Sequence, residues 1–405
     1  MDNKNETLGR LNSTNDFVFF GLQSWDIDIG SNCKNMAIEV AKTNRVLYIN
    51  RALDRKSKYF DKKNKIIQHR LEVFRKGELL IEQVQENLWV CTPSVLLESI
   101  NWIKMVSLFN FFNRLNNKRL SKDIKEAINK LGFKDVIFFN DNDFFRGVYL
   151  YDLLKPSIYI YYIRDYLNFQ PYFKRHGNRL EPETMRRSDL VVSNSNYLTQ
   201  YAQKHNKNSF FIGQGCDFSQ FDASKSFTMP KDLEKIKAPI IGYVGVLHSD
   251  RLDINLLVDV ATKLPEYSFV LVGPEDAEFS NSKLHTIANV YFLGPKDVDS
   301  LAAYIAHFNV CINPQKLNEL TIGNYPRKID EYLAMGKNVV ATQTETMKLF
   351  SDYVYLCSDA DSYIEAITKA CSQNNNDSAS RIDFAKTHTW KNNVKELFAA
   401  IEKAR

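Results

Sequence analysis

Arg327, Lys328 and Glu331 fall within one short stretch, Asn324-Tyr-Pro-Arg-Lys-Ile-Asp-Glu-Tyr-Leu-Ala-Met-Gly336, which runs into the apolar segment Lys337-Asn-Val-Val-Ala-Thr342. A Pro suited to the first turn of a helix, an Arg-Lys pair in that turn, a Glu one turn on and a Gly before a β-branched run predict a loop, a helix beginning near Pro326 and a strand. The chemistry open to such a segment is recognition of a phosphorylated ligand. A helix start presents unpaired N–H groups and partial positive charge, the two cations add to it, and Glu331 can accept hydrogen bonds from hydroxyls. Phosphate together with sugar hydroxyls describes a nucleotide sugar. Taken alone, the segment could also be an ordinary αβ unit with a surface Arg-Lys pair.

The elements that must position these residues form two αβ series. A chain of 405 residues exceeds the size at which a single core keeps growing, so two domains are expected. Phe17-Val-Phe-Phe-Gly-Leu22 reads as a buried strand, Asn32 to Lys42 as a helix and Arg45-Val-Leu-Tyr-Ile-Asn50 as a second strand. Further strands are predicted at Leu88 to Cys91, Val136 to Asn140, Ile158 to Ile163, Leu190 to Ser193 and Ser209 to Gly213. Phe221 to Lys237 lacks periodicity, contains Pro230, and is read as the linker. A new series follows with strands at Pro239 to Gly245, Tyr267 to Gly273, Val290 to Gly294, Phe308 to Asn313, Val339 to Thr342 and Tyr353 to Leu356. Continuous apolar runs alternating with helices mark parallel sheets covered on both faces. The expected domains are residues 1–220 and 238–385, with 386–405 a terminal helix.

The segment from Pro326 to Thr342 resembles the donor-site segment of GT-B glycosyltransferases of the retaining family 4 type (the glycosyltransferase family 1 domain). There a Pro, a Lys and then Glu-Tyr-Leu-Ala-x-Gly-x-x-Val-Val precede a strand, and the bacterial glycosyltransferases of the teichuronic acid biosynthesis type are similar. The resemblance implies an α/β fold of two Rossmann-like domains facing across a cleft, with the terminal helix crossing back to the first domain. It implies a hexosyltransferase-type enzyme that moves a sugar from a nucleotide diphosphate sugar to a polysaccharide or lipid-linked saccharide. No cofactor and no metal are expected beyond that donor. Gly323 stands where the family has a second acidic residue. A non-catalytic nucleotide-binding αβ protein and a nucleotide-sugar epimerase of the same architecture are the alternative readings.

Gly242-Tyr-Val-Gly-Val-Leu-His248 resembles the family's first donor-domain strand and loop. Gly245 there lets a backbone approach a diphosphate or sugar with no Cβ between. The resemblance makes Arg251 a phosphate cation and His248 a hydrogen-bond donor. Gly273 and Pro274 border the nucleobase or simply form a turn. Asn313, Lys316 and the loop ending at Asn324 follow a strand and are expected at the cleft. In the first domain, Gly30 and Ser31 open a helix and can approach the donor, while Trp25 offers a platform for a sugar or caps the core. Asp165, after the strand Ile158 to Ile163, is implied to face the acceptor and to orient or deprotonate its hydroxyl, with Arg164 keeping it ionised. The implied catalytic set is Asp165, Lys328 and Glu331.

The net charge of +5 is too small to point to nucleic acid. It is unevenly spread, since ten Lys or Arg lie between Arg51 and Lys76 against three acids. Such a face suits either solvent or an anionic surface. Val95 to Leu115 carries apolar residues at near-helical spacing around Trp102, followed by Lys118, Arg119 and Lys122. That pattern fits either core packing or an amphipathic helix lying on a membrane. Six scattered cysteines and seven scattered histidines have neither disulfide nor zinc spacing. With no 18-residue apolar window, the expected location is the cytoplasm, with peripheral contact at the inner face of the membrane.

Overall fold

The structure, a computed structural model, describes residues 15–27, 31–373 and 377–405. The chain divides into two units, Met1–Gly213 with Asn393–Arg405, and Gln214–Asn392. In the first, Phe17–Gly21, Val46–Ile49, Ile137–Asp141, Ile158–Ile163 and Leu190–Ser193 are buried at every position. That is how β-branched and aromatic runs behave when helices cover both faces of a sheet. Among the described residues the sheet runs, edge to edge, Ser209–Phe211, Leu190–Ser193, Ile158–Ile163, Ile137–Asp141, Phe17–Gly21, Val46–Ile49, Leu88–Thr92, Leu80–Gln85. Its pairs are parallel except the last, where Leu80–Gln85 turns back against Leu88–Thr92. Four of the six residues of that edge strand are exposed, so it has no buried run to announce it.

From Phe17–Gly21 the chain builds outward through Val46–Ile49 to Leu88–Thr92, then returns to the other side of its first strand with Ile137–Asp141. The second unit repeats the manoeuvre. Ile240–Val244 leads out to Ser268–Val272 and Val290–Gly294, then the order reverses to Val310–Asn313, Asn338–Thr342 and Tyr355–Cys357. All five of these pairings are parallel. In open sheets of this kind the reversal opens a crevice beyond the carboxyl ends of the two central strands. Ile240, Val244 and Val270 face one core with Tyr332 and Leu333, whereas Ile241, Tyr243 and Leu271 face the other with Leu257 and Ile367.

The stretch expected as a linker is part of this second core. Phe221 and Leu233 are buried in it beside Ile240 and Val244, so the division falls at Gly213–Gln214 rather than after residue 220. The apolar pattern from Val95 to Leu115 is not one helix either. Leu96–Leu97 pairs with Leu53–Asp54, and the helix is Val106–Lys130. Ile100, Ile103 and Phe109 enter the core, while Trp102, Met105 and Phe111 stay exposed. The six cysteines are unpaired, five of them buried. No helix among the described residues is long and apolar enough to cross a membrane.

Candidate functional site

The segment Asn324 to Gly336 forms a shorter helix than its sequence suggests, Lys328–Ala334, with Arg327 before it making no side-chain cap. The N–H groups of Ile329, Asp330 and Glu331 are taken by the carbonyls of Pro326 and Arg327. The helix end is therefore largely self-satisfied, and its chemistry lies in side chains. What fixes the helix is buried and polar. Asp330, fully buried, pairs through Oδ1 with His388 Nδ1 at 2.6 Å and accepts from Cys216 Sγ on Oδ2 at 3.4 Å. The Val244 N–H donates to Tyr332 Oη at 2.9 Å, tying the helix to the end of the strand Ile240–Val244. Gly336, at φ +69°, closes the helix, and a Cβ there would lie 2.1 Å from Ser378 Oγ.

Beside this helix lies a cavity of about 410 Å³. Its wall is made by Tyr243, Gly245 and Arg251, by Asn313 and Gln315 at and just past the end of the neighbouring strand, and by Asn324, Arg327, Lys328 and Glu331. Those two strands, Ile240–Val244 and Val310–Asn313, are the pair at which the sheet order reverses. The cavity thus stands in the crevice that this topology creates.

Lys328 meets Tyr243 in the lining of the cavity. Its ammonium lies over the Tyr243 ring, 3.9 Å from the centroid, and donates to the Tyr243 hydroxyl. Loss of water pulls its pKa down to about 7, Arg251 adds repulsion, and Glu331 opposes both. Glu331 is pushed the other way: burial raises its pKa, against the attraction of Arg327 and Lys328. Gly245 adopts φ +140°, and a Cβ there would sit 2.7 Å from the Lys328 ammonium, so only glycine leaves that corner open. Three buried polar atoms around the cavity have no partner: Asn313 Nδ2, Gln315 Oε1 and Arg327 Nε. Groups left so at the wall of a cavity are groups a ligand would satisfy.

The structure brings together Gly245, Arg251, Asn313, Asn324, Arg327, Lys328 and Glu331. Of the other residues expected in the second unit, His248, Gly273 and Lys316 are not among those lining the cavity. His248 is 46% exposed and turns its Nδ1 toward Asp276 Oδ2 at 3.5 Å. Gly273 supports the site from behind, since a Cβ on it would strike the Gly245 carbonyl oxygen at 1.9 Å. Lys316 reaches the Ser249 carbonyl, 3.4 Å away. Ser31 belongs to the first unit, where its hydroxyl caps the helix Asn32–Val40 through the Lys34 N–H at 3.1 Å. Trp25 packs edge-on against Tyr48 with the Lys34 ammonium over its ring. Gly30 lies outside the described residues. Asp165, also in the first unit, accepts from Arg164 Nη1 at 2.7 Å while Arg164 Nε donates to the buried Asp141 at 2.8 Å. Tyr243, Gln315 and the Asp330–His388 pair were not singled out from sequence. Tyr243 and Gln315 sit beside residues that were, but the pairing of positions 330 and 388 has no local signal.

Residues 238–373, all within the second unit, match the model of the family described as Glycosyl transferases group 1. TuaH of Bacillus subtilis, whose name assigns it to teichuronic acid biosynthesis as a glycosyltransferase, is 26% identical over 222 residues. That match covers 52% of this chain and 56% of the relative, so the chain spans little more than half the relative's length. Among solved structures, sucrose-phosphate synthase of Thermosynechococcus elongatus superposes with a TM-score of 0.64 at 14% identity, covering 96% of this chain and 100% of that one. Anabaena HepE in complex with UDP and glucose gives 0.61 at 16%, over 96% and 100%. The protein has the GT-B glycosyltransferase fold of these neighbours.

Proposed function

We propose that this protein is a nucleotide-sugar-dependent glycosyltransferase whose donor occupies the cavity of the second unit, and whose acceptor is a polysaccharide or lipid-linked saccharide. The observation that carries the reading is the trio of unpartnered buried groups, Asn313 Nδ2, Gln315 Oε1 and Arg327 Nε, at a cavity that also holds Arg251 and Lys328. Two cations suit a diphosphate, and neutral amides suit a ribose, base or sugar. The UDP and glucose in the HepE complex support the donor class, and the name of TuaH supports a saccharide acceptor. In this reading Arg251 and Lys328 offset the charge that develops on the leaving diphosphate, Glu331 contacts hydroxyls, and anomeric configuration is retained. Asp165, oriented by Arg164, faces the acceptor hydroxyl. The exposed Tyr59, Phe60, Trp102, Met105 and Phe111 rest on the inner face of a membrane, where a lipid-linked acceptor would be met.

The test begins with calorimetric titration of the full chain with uridine and guanosine diphosphates. Lys328→Ala is expected to weaken binding by about 1.5 to 3 kcal/mol, the range for a hydrogen bond to a charged group. Asp165→Asn is expected to leave that affinity intact and to slow transfer by about a hundred- to ten-thousandfold, the usual share of a general base. Equal affinity of wild type and Lys328→Ala removes the donor assignment. Binding without transfer identifies a non-catalytic protein, and interconversion of sugars with no acceptor present identifies an epimerase.

A further inference from the structure

The basic stretch Arg51 to Lys76 does not form a single exposed face, because Arg70 turns inward while Arg51 stays exposed at its edge. Arg51 follows the strand Val46–Ile49, and Arg70, on the helix Lys65–Lys76, is only 6% exposed. Arg146 joins them from the short helix Phe144–Gly147, which follows the strand Ile137–Asp141. These elements surround the carboxyl end of Phe17–Gly21, where the first sheet reverses its order. Arg146 Nη2 reaches the Gly21 carbonyl at 3.4 Å, and Arg70 Nη2 donates to Ser24 Oγ at 2.8 Å in the loop that follows. Three guanidinium groups therefore gather at the carboxyl end of that strand, the place where a reversal of order opens a crevice in sheets of this kind.

The nearby acids do not neutralise these groups fully. Asp26 pairs with Arg70 at 3.0 Å, and Asp143 with Arg146. Asp54 is engaged by Ser57 and Ser99, whose hydroxyls donate to it at 2.9 and 2.7 Å. Among the described residues the Arg51 guanidinium has neither a hydrogen bond nor an ion pair, and Arg70 Nε is buried without a partner. Repulsion from Arg146 and Arg70, together with loss of water, outweighs the attraction of Asp143 and Asp54 and draws the Arg51 pKa down to about 10. The half-exposed position of an unpaired arginine, next to a second one buried with a donor unused, is what a bound anion would complete. Tyr172, 62% exposed and within the field of Arg51 and Arg146, adds a hydroxyl and an aromatic face.

We infer that Arg51, Arg70 and Arg146 form a receptor for an anionic group, a phosphate or a carboxylate, carried by the acceptor. The assignment rests on the glycosyl-transfer reading and narrows it: the acceptor is a charged saccharide or a saccharide on a phosphorylated carrier. Planar forks arranged around one crevice suit either group, since guanidinium pairs with both in two-pronged fashion.

The test uses the full chain carrying Lys328→Ala, which weakens anion binding in the second unit, titrated with inorganic pyrophosphate and, separately, with glucuronate at low salt. Binding of either probe is expected, and adding Arg51→Gln should weaken it by about tenfold or more, the loss of one charge-assisted contact. Arg51→Lys should recover part of it. Preference for pyrophosphate points to a phosphorylated carrier, and preference for glucuronate to a uronic acid. Because Arg51 is exposed, its variants should melt with the parent, and a matched melting temperature shows that the loss is local. Failure of both probes to bind, or equal binding with and without Arg51→Gln, overturns the receptor. Nucleotide affinity of the wild-type chain is read separately, so the donor assignment stands or falls on its own.

Discussion

Lys328 is a lysine whose charge depends on what fills its cavity. Loss of water holds its pKa down at about 7 in the free protein, so its charge is lost as pH rises through the neutral range. A diphosphate beside it would favour the charged form and raise that pKa, so binding above pH 7 must take up a proton. The sign follows directly. Affinity is highest below pH 7 and falls as pH rises through and beyond it, by up to about tenfold per unit, until the pH passes the raised pKa of the complex. The terminal phosphate of the ligand titrates at about 6 and is roughly nine-tenths or more ionised from pH 7 upward, so it adds little to the effect and with the opposite sign. Calorimetry of nucleoside diphosphate binding between neutral and mildly alkaline pH checks the expectation, with Lys328→Ala showing a flat profile. An equally sloped profile in the variant would assign the proton to another group. That Lys328, Glu331, Arg327 and Gly245 would stand together was legible because helix and turn signals are local, and the structure places all four around one cavity. Asn313 was legible as a strand end. His248 and Gly273 lie off the cavity wall, since sequence adjacency to a strand end does not say toward which side the loop turns, and here Asp276 and the Gly245 carbonyl are their neighbours.

Among the elements, the strands were the most readable part of the chain. A parallel strand covered on both faces is a run of apolar residues, and the predicted and observed ranges for Ile158–Ile163, Leu190–Ser193 and Val290–Gly294 coincide. The helix Val106–Lys130 was read too early, because apolar spacing continues through the preceding turn although Ile100 and Ile103 reach the core from irregular backbone. That misreading leaves a patch to explain. The helix Arg55–Phe60 and the turn bearing Trp102 are joined at Ser99, whose hydroxyl accepts from the Lys56 N–H at 2.9 Å and whose carbonyl accepts from Trp102 Nε1 at 2.7 Å. Phe60 and Trp102 are 79% and 72% exposed there, with Lys56, Lys62, Lys63 and Lys104 also exposed. Aromatic side chains among lysines suit a lipid surface of negative charge. The protein is expected to bind vesicles containing anionic lipid, less so as salt rises, since exposed charges are screened within about 10 Å at 0.1 M. Phe60→Ser with Trp102→Ser should reduce that binding while leaving nucleotide affinity unchanged. Retention of full vesicle binding by the double variant would show that these side chains do not meet lipid.

At the scale of the whole molecule, the chain begins in one unit, builds a second and ends in the first, and this arrangement can be tested by cutting it. The final helix is Trp390–Ala404, yet from Asn393 onward its residues belong with the first unit. Asn393 Nδ2 donates to the carbonyls of Ile212 and Gly213 at 2.7 and 2.9 Å, closing the last strand of that unit. Leu397 and Ile401 are fully buried, Val394 nearly so, and Phe398 lies 5.9 Å from Phe17 on the first strand. Burying three aliphatic side chains contributes roughly 4 to 9 kcal/mol as an upper estimate. A domain's whole stability is about 5 to 15 kcal/mol. A chain ending at Asn392 should therefore have a first unit that melts far below the intact protein or is unfolded at ambient temperature, with Ile212 and Gly213 left without their partner. The second unit keeps every residue of its two cores and of the cavity, so the truncated chain should still bind nucleoside diphosphate. Scanning calorimetry with limited proteolysis reads both halves at once: cleavage sites appearing before Gly213 but not in 214–392 are expected. Identical melting of the cut and intact chains would mean that the last thirteen residues contribute little to the first unit, and that its sheet is held by its own helices alone.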